Sequence, residues 1–297
     1  MNVRFLATMI CGCFALASSA APEPVRIGPN GSFNVAFNGA LATGAANLLT
    51  VDHREPVEDS VLYNITQPGV LVRKIVYTPT DKVKFHTRML IVLRSENNPT
   101  ETLLVVRDYI GCAEPATLRW CVTTPAKPQN VGSYLMVRSD NGHAGGRMLF
   151  QMLLPGIDGH STELIGNPMT SDPGYRNVFT VTSPGLQHTV LVTMQIGALE
   201  SPMIFKSFTP GPVNQVVNAG GYLVSINAGA GKLAASFAIE VPADGTAYTM
   251  LLGDLAAGLW KVTSPDGKSE SYDIDGAVPL QLVKAPTPGV WKVEKIK

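Results

Sequence analysis

The sequence predicts an all-β protein, built as a large antiparallel β-sandwich, or supersandwich, with a small C-terminal β-unit. Apolar and polar residues alternate with period two through most of the chain, as in SFNVAFN at residues 32–38. The apolar runs are short and end at Gly, Pro, Asn or Asp, which is typical of strands joined by turns. No segment of helical length shows a clean 3.6-residue period between capping residues. Because so many strands must bury a common apolar face, stacked sheets are favoured over one open sheet.

The predicted strands lie at residues 32–38, 48–51, 70–72, 75–77, 89–93, 103–110, 134–137, 148–154, 178–182, 188–196, 222–226, 233–241 and 248–252. We assign residues 21–240 to the main sandwich and residues 241–297 to the small C-terminal unit packed on it.

The composition is typical of a globular protein. The chain has 297 residues, of which 45% are hydrophobic and only 15% are charged, so a disordered or collagen-like chain is excluded. It has 23 basic and 23 acidic residues and a formal net charge of zero. This balance argues against a nucleic-acid partner held by bulk electrostatics.

Residues 1–20 are typical of a secretory signal peptide. Arg4 precedes an apolar run at residues 5–17, and small residues follow at residues 18–21. We therefore expect a periplasmic or extracellular protein whose mature chain starts at Ala21 or Pro22. The apolar run is too short to span a bilayer and no later run is longer, so we expect no integral membrane segment. A lipid anchor at Cys13 is a minor alternative, because this residue lies inside the apolar run.

The C-terminal part contains a short repeat. GLWKV at residues 258–262 recurs as GVWKV at residues 289–293, and SPDG at residues 264–267 predicts a hairpin over residues 263–272. Trp260 and Trp291 take equivalent strand positions. Core packing is favoured for both over an exposed sugar-binding platform.

Cys112 and Cys121 are the two cysteines that remain after signal cleavage. They flank a Pro-containing turn between apolar runs, so in an oxidising compartment we predict a disulfide between them. A metal pair or a catalytic thiol is not indicated, since neither cysteine has a His beside it.

Polar residues that could carry chemistry are few. His86 and Arg88 alternate with Phe85 and Thr87, so they share one strand face and could meet an acidic sugar. The alternative is the wet face of an edge strand. Four acidic residues, Asp52, Glu55, Glu58 and Asp59, are interpreted as a solvated turn and not as the carboxylate pair of a glycosidase.

The order of four stretches resembles a known family. They are residues 45–52, 85–92, 104–110 running into 118–120, and 145–155. In this order they resemble the C-terminal β-sandwich of the heparinase II/III-like polysaccharide lyases, over about residues 44–249. In that family a helical toroid and the sandwich together form the substrate cleft, and the sequence shows no toroid.

The resemblance implies a role in polysaccharide recognition. β-Elimination of a uronic-acid polymer needs a carboxylate neutraliser, a base and an acid. The family's sandwich supplies a His for this chemistry, and the matching position here is Ala46. The expected function is therefore binding of a uronic-acid polysaccharide, as an accessory or partner half of a lyase. A separate helical-toroid lyase subunit is the implied partner. The alternative is an active lyase or hydrolase with its site on the sandwich face.

Candidate site residues follow from these two hypotheses. Catalytic candidates for the active alternative are His86, Tyr109 and His160, and substrate-binding candidates are Arg88, Asp108, Arg119 and Trp120. Some family members bind zinc through two His and an Asp, and Asp108 lies where that aspartate is expected. Because too few ligands accompany it, we expect no metal and no cofactor. Asp108 is instead interpreted as an ion-pair partner of Arg88, Arg107 or Arg119.

Overall fold

The computed structural model describes residues 25–27, 32–37, 40–42, 49–51, 55–94, 101–124, 126–131, 134–139, 146–155, 159–166, 173–182, 185–199, 206–229 and 231–297. These residues form 24 β-strands in five sheets, and no helix is found among them. The all-β prediction is confirmed. Across these ranges there is accordingly no apolar helix of membrane-spanning length.

Five sheets contain the strands. Sheet N is β1 (Val25–Ile27), β2 (Phe33–Phe37) and β3 (Ala40–Ala42). Sheet I is β4 (Leu49–Val51), β9 (Thr117–Thr124), β13 (Gly159–Gly166) and β14 (Pro173–Thr182), in the order β13-β14-β9-β4. Sheet II is β5 (Glu58–Gln67), β6 (Val70–Tyr77), β7 (Val83–Arg94), β8 (Thr102–Cys112), β10 (Gln129–Val131), β11 (Tyr134–Ser139), β12 (Gly146–Leu154) and β15 (Gln187–Ala198), in the order β10-β11-β12-β15-β8-β7-β6-β5.

The remaining strands form two further sheets. Sheet III is β16 (Ser207–Thr209), β17 (Asn214–Asn218), β18 (Tyr222–Asn227), β20 (Tyr248–Gly253) and β23 (Leu280–Ala285), in the order β16-β17-β18-β20-β23. Sheet IV is β19 (Phe237–Val241), β21 (Gly258–Thr263), β22 (Ser269–Ile274) and β24 (Gly289–Lys295), in the order β19-β24-β21-β22. The pairings are antiparallel except for the parallel pair β18 and β20.

Three apolar cores lie between four stacked sheets. Period two explains the stacking, because a strand between two layers sends alternate side chains to opposite cores. In β8, Leu104 and Val106 lie in the core between sheets I and II, whereas Leu103 and Val105 lie in the core between sheets II and III. Sheet III is likewise covered on both faces, by sheet II and by sheet IV. The protein is therefore a four-layer supersandwich.

The repeated pentapeptide forms neighbouring strands of sheet IV. In each copy the Trp indole Nε1 donates to the carbonyl oxygen four residues earlier, at 2.8 Å in both cases. The preceding glycines, Gly258 and Gly289, have φ of 134° and 117°, a region that favours glycine. Trp260 and Trp291 are only 1% and 6% exposed, so the core interpretation of both is confirmed.

Sheet III contains strands from both sides of the predicted domain boundary. Sheet III joins β16, β17 and β18, which precede residue 240, to β20 and β23, which follow it. The boundary between residues 240 and 241 stays a prediction. The strand predicted over residues 233–241 is shorter than expected, because it starts at Phe237 and Leu233 makes only an isolated bridge to Leu255.

Two further expectations are corrected. Glu58 and Asp59 lie in β5, an edge strand of sheet II, and not in a solvated turn. The strand was missed because its sequence is polar, which is typical of sheet edges protected from further pairing.

Cys112 and Cys121 form no disulfide. Cys112 lies in the core between sheets I and II, whereas Cys121 alternates with Trp120 and Val122 and so points away from that core.

The placement of the cysteines predicts that a reductant has no effect on stability. The thermal unfolding midpoint of the mature protein should be the same with and without dithiothreitol, because no cross-link constrains the unfolded chain. A non-reducing peptide map after alkylation in denaturant should show both cysteines modified. A cross-linked pair of peptides containing Cys112 and Cys121 would contradict this placement.

Candidate functional site

A buried network centred on Asp108 contains four of the predicted site residues. Arg88 donates to Asp108 through two nitrogens, Nε to Oδ1 and Nη2 to Oδ2, each at 2.7 Å. His86 Nε2 lies 2.9 Å from Oδ1, and Trp120 Nε1 donates to Oδ2 at 3.2 Å. Arg88, Asp108 and Trp120 are 0% exposed and His86 is 2% exposed. The interpretation of Asp108 as an ion-pair partner agrees with this geometry.

Strand register assembles the network. β7 and β8 pair antiparallel with Arg88 opposite Asp108, and His86 lies two residues away on the same face of β7. Trp120 comes from β9 of sheet I and crosses the core to the same carboxylate. The face that carries His86 and Arg88 is therefore a core face. The wet-face expectation is wrong because β7 is an inner strand, hydrogen-bonded to β6 and β8.

Electrostatics fix the charge states of the network. Burial alone raises the pKa of the Asp108 carboxyl, but the Arg88 guanidinium and the hydrogen bonds from His86 and Arg88 outweigh burial and hold the pKa well below its usual range. Burial lowers the pKa of His86, and its hydrogen bond to Asp108 opposes only part of that effect. His86 is therefore neutral at pH 7. Its Nε2 carries the proton, because a carboxylate can only accept.

The geometry of the Asp108 network favours a structural role over a catalytic one. An Asp–His pair can act as a base, but here both carboxylate oxygens of Asp108 are already bound by Arg88. A polymer cannot reach three side chains that are fully buried between two sheets. The complementary charges pair β7 with β8 within sheet II, and the Trp120 hydrogen bond joins this network to sheet I.

The remaining site candidates lie elsewhere. Tyr109 points to the opposite face of β8 from Asp108, and its hydroxyl donates to Gln187 at 3.1 Å. Arg119 is half-buried on the face of β9 that Trp120 does not share. His160 lies in β13 opposite Phe179, and its side chain is outside the described residues. His86 and Tyr109 therefore do not converge on one cleft. Ala46, Asp52, Cys13 and the signal peptide lie outside the described residues.

A second buried network was not predicted. Asp254 Oδ1 accepts from Lys74 Nζ at 2.5 Å and from the Tyr63 hydroxyl at 2.8 Å. Burial lowers the pKa of Lys74, and the Asp254 charge opposes that effect. The bonds connect β5 and β6 of sheet II to the end of β20 in sheet III. The available signal was a charged residue inside an apolar run, as in VLVRKIVY and LLGDL.

The described residues include the walls of two surface cavities. One, of about 210 Å³, lies beside His86 and has mainly apolar walls. The other, of about 270 Å³, lies in the C-terminal unit and is called the C-terminal groove; its lining includes Ser264, Asp266, Lys268, Glu270, Tyr272, Lys284, Thr287 and Trp291. This groove combines aromatic, hydroxyl, carboxylate and ammonium groups. Within the described ranges no three His, Cys, Asp or Glu side chains converge as metal ligands would.

A known family model matches the C-terminal part of the chain. Residues 213–294 match the heparinase II C-terminal domain. The match runs from just before β17 to β24, so it includes the repeated strands of sheet IV and the C-terminal groove. The resemblance to the C-terminal β-sandwich of heparinase lyases is thereby confirmed. A comparison with curated proteins gives no match.

A solved structure shares the fold. The crystal structure of heparan sulfate lyase HepC from Pedobacter heparinus aligns with 68% of this chain at 12% identity and a TM-score of 0.51. This chain covers 37% of HepC. A heparinase III, the BT4657 gene product, aligns with 64% of this chain and 34% of its own length, at 13% identity and a TM-score of 0.47.

The buried state of His86 predicts a pH-dependent stability. The unfolded chain takes up a proton at an ordinary His pKa of about 6.5, whereas folded His86 resists protonation, so the unfolded state binds more protons and stability falls as the pH drops below about 6.5. The free energy of unfolding can be measured by urea titration at several pH values between 7.5 and 5.5. The slope of this free energy against pH should be smaller in His86→Gln, which can still donate to Asp108, by up to about 1.4 kcal/mol per pH unit.

The control for this measurement is His188→Gln. Burial lowers the pKa of His188 as well, so it contributes separately, and its variant should retain the His86 contribution. Asp108 and Arg88, which face His86, keep their charges across this pH range. An unchanged slope in His86→Gln would show that His86 takes up protons equally in the folded and unfolded states, which would contradict a lowered pKa of His86 in the folded protein.

Proposed function

We propose that this chain binds a uronic-acid polysaccharide as a secreted accessory or partner half of a polysaccharide lyase, with the elimination chemistry carried by a helical-toroid subunit. The observation that carries the proposal is the match of residues 213–294 to the heparinase II C-terminal domain. The supersandwich fold, shared with a heparan sulfate lyase, supports the same assignment.

The placement of the site candidates supports binding over cleavage. A lyase site needs a base, an acid and a carboxylate neutraliser in one cleft. His86 and Tyr109 lie on opposite faces of sheet II, and Asp108 and Arg88 neutralise each other in the core. The sequence also has Ala46 where the resembling lyases place a His, and alanine can neither transfer a proton nor polarise a carboxylate.

The C-terminal groove has the chemistry that a sugar polymer needs. The Tyr272 ring offers an apolar face, and Lys268 is a widely exposed cation beside Asp266, with the Nζ to Oδ2 distance at 2.8 Å. Lys284 adds a second exposed cation. Ammonium groups pair with uronate carboxylates, and Thr287 offers a hydroxyl. Since the same groove holds Asp266 and Glu270, salt should weaken binding only modestly.

Incubation of residues 21–297 with heparan sulfate, heparin, hyaluronan and polygalacturonate tests the proposal. We expect at least one polymer to be retained by the immobilised protein and no rise in the ultraviolet absorbance of unsaturated product. Tyr272→Ala and Lys268→Ala should each weaken binding by roughly fivefold, the effect of an interface contact of about 1 kcal/mol.

Lys292→Ala is the matched control, because Lys292 is exposed on β24 and is not part of the groove. If all variants retain the polymer equally, the polysaccharide binds outside the C-terminal groove, and only the location of the site is contradicted. Product formation by the purified chain would instead establish the active alternative. Absence of both retention and product would leave only the fold.

A further inference from the structure

The cavity beside His86 has the form of a small-molecule site. Its walls include Val51, Pro56, Val57 and Val83, together with the ring of Tyr77. Its volume is about 210 Å³. An apolar cavity of about 150 Å³ is large enough to hold benzene, so this one can hold a benzene ring with one or two substituents.

His86 brings a buried, directional polar group to the cavity wall. The wall also contains Glu55, Thr78 and Thr80, which are exposed, and Lys82, which is half-buried and pairs with Glu114. The ring Nε2 is engaged by Asp108 at 2.9 Å, which orients the imidazole. The ring of Tyr77 lies against it, with 4.3 Å between ring centroids. Because Nε2 donates to the carboxylate, Nδ1 of the neutral ring is a hydrogen-bond acceptor. Among the hydrogen bonds described for His86, the ring nitrogen used is Nε2, and His86 forms part of the cavity wall.

We propose that this cavity binds a small uncharged ligand with an apolar ring and one hydroxyl group, such as a phenol, whose hydroxyl donates to Nδ1 of His86. The apolar part of the wall accepts the ring, and the buried imidazole of His86 accepts the hydroxyl. A sugar unit fits less well, because the hydroxyls that face Val51, Pro56 and Val83 would be buried without partners. The site is therefore distinct in chemistry from the polysaccharide-binding groove, and it does not depend on the function proposed above.

Binding of p-cresol and toluene to the full mature chain tests this proposal. The two probes share a methyl-substituted ring, and only p-cresol carries a hydroxyl. Titration calorimetry should give measurable binding of p-cresol at millimolar concentration and roughly fivefold weaker binding of toluene, the difference expected for one net hydrogen bond. Equal affinities of the two probes, or no binding of p-cresol, would overturn the proposal.

Variants locate the site. Val57 is 63% exposed at the cavity, so Val57→Trp can fill the opening without disturbing the Asp108 network, and it should abolish p-cresol binding while the unfolding midpoint is retained. Val278→Trp, at an exposed valine that is not part of this cavity, is the matched control and should bind p-cresol normally. His86→Gln should remove the preference for p-cresol over toluene. Normal binding by Val57→Trp would show that p-cresol binds elsewhere.

Discussion

The carboxylate of Asp108 is a full negative charge in the core between sheets I and II. A charge in that position is costly unless it is paired and its lone pairs are satisfied. Arg88 supplies the charge and two donors, while His86 and Trp120 supply one donor each. These donors come from β7 of sheet II and β9 of sheet I. The ion pair therefore fixes the register of β7 against β8 within sheet II, and the Trp120 hydrogen bond connects the buried carboxylate to sheet I.

A second buried charge is paired on the other face of sheet II. Lys74, Tyr63 and Asp254 form a second polar cluster in the interface with sheet III. Both clusters are embedded in apolar cores, which supply the bulk of the burial, while the polar groups specify how the layers align. This division explains why the predicted site residues are buried. The strands that carry them are inner strands of a four-layer stack, and polymer contact is left to surfaces such as the C-terminal groove.

The sequence predicted the fold well because period two is a local property. Alternation and turn residues sufficed for the strands that contain Leu104 or Met250, and the GxWKV repeat predicted two related strands with Trp260 and Trp291 at equivalent positions. Sequence did not show how many layers cover a strand. His86 and Arg88 were correctly placed on one face of β7, but that face is wet only if β7 is an edge strand, and strand order is a long-range property.

The missed features have the same origin. Lys74 and Asp254 are 180 residues apart, so their pairing could not be read from local pattern, although each stood out as a charge in an apolar run. The disulfide prediction failed because spacing in sequence does not report side-chain direction: Cys112 points into a core that Cys121 faces away from. The edge strand β5 was missed because its polar sequence, which suits an edge, is also the composition of a turn.

The most direct test of the scaffold role of Asp108 is a double-mutant cycle with Arg88→Met and Asp108→Asn, measured as the free energy of unfolding in urea at pH 7. Each single variant should lose about 3–5 kcal/mol, because it leaves one partner of a buried ion pair uncompensated. The double variant should lose far less than the sum, because it removes both charges. Single variants that each cost less than about 1 kcal/mol, or strictly additive losses, would contradict the conclusion that this ion pair stabilises the buried β7–β8 pair in the core.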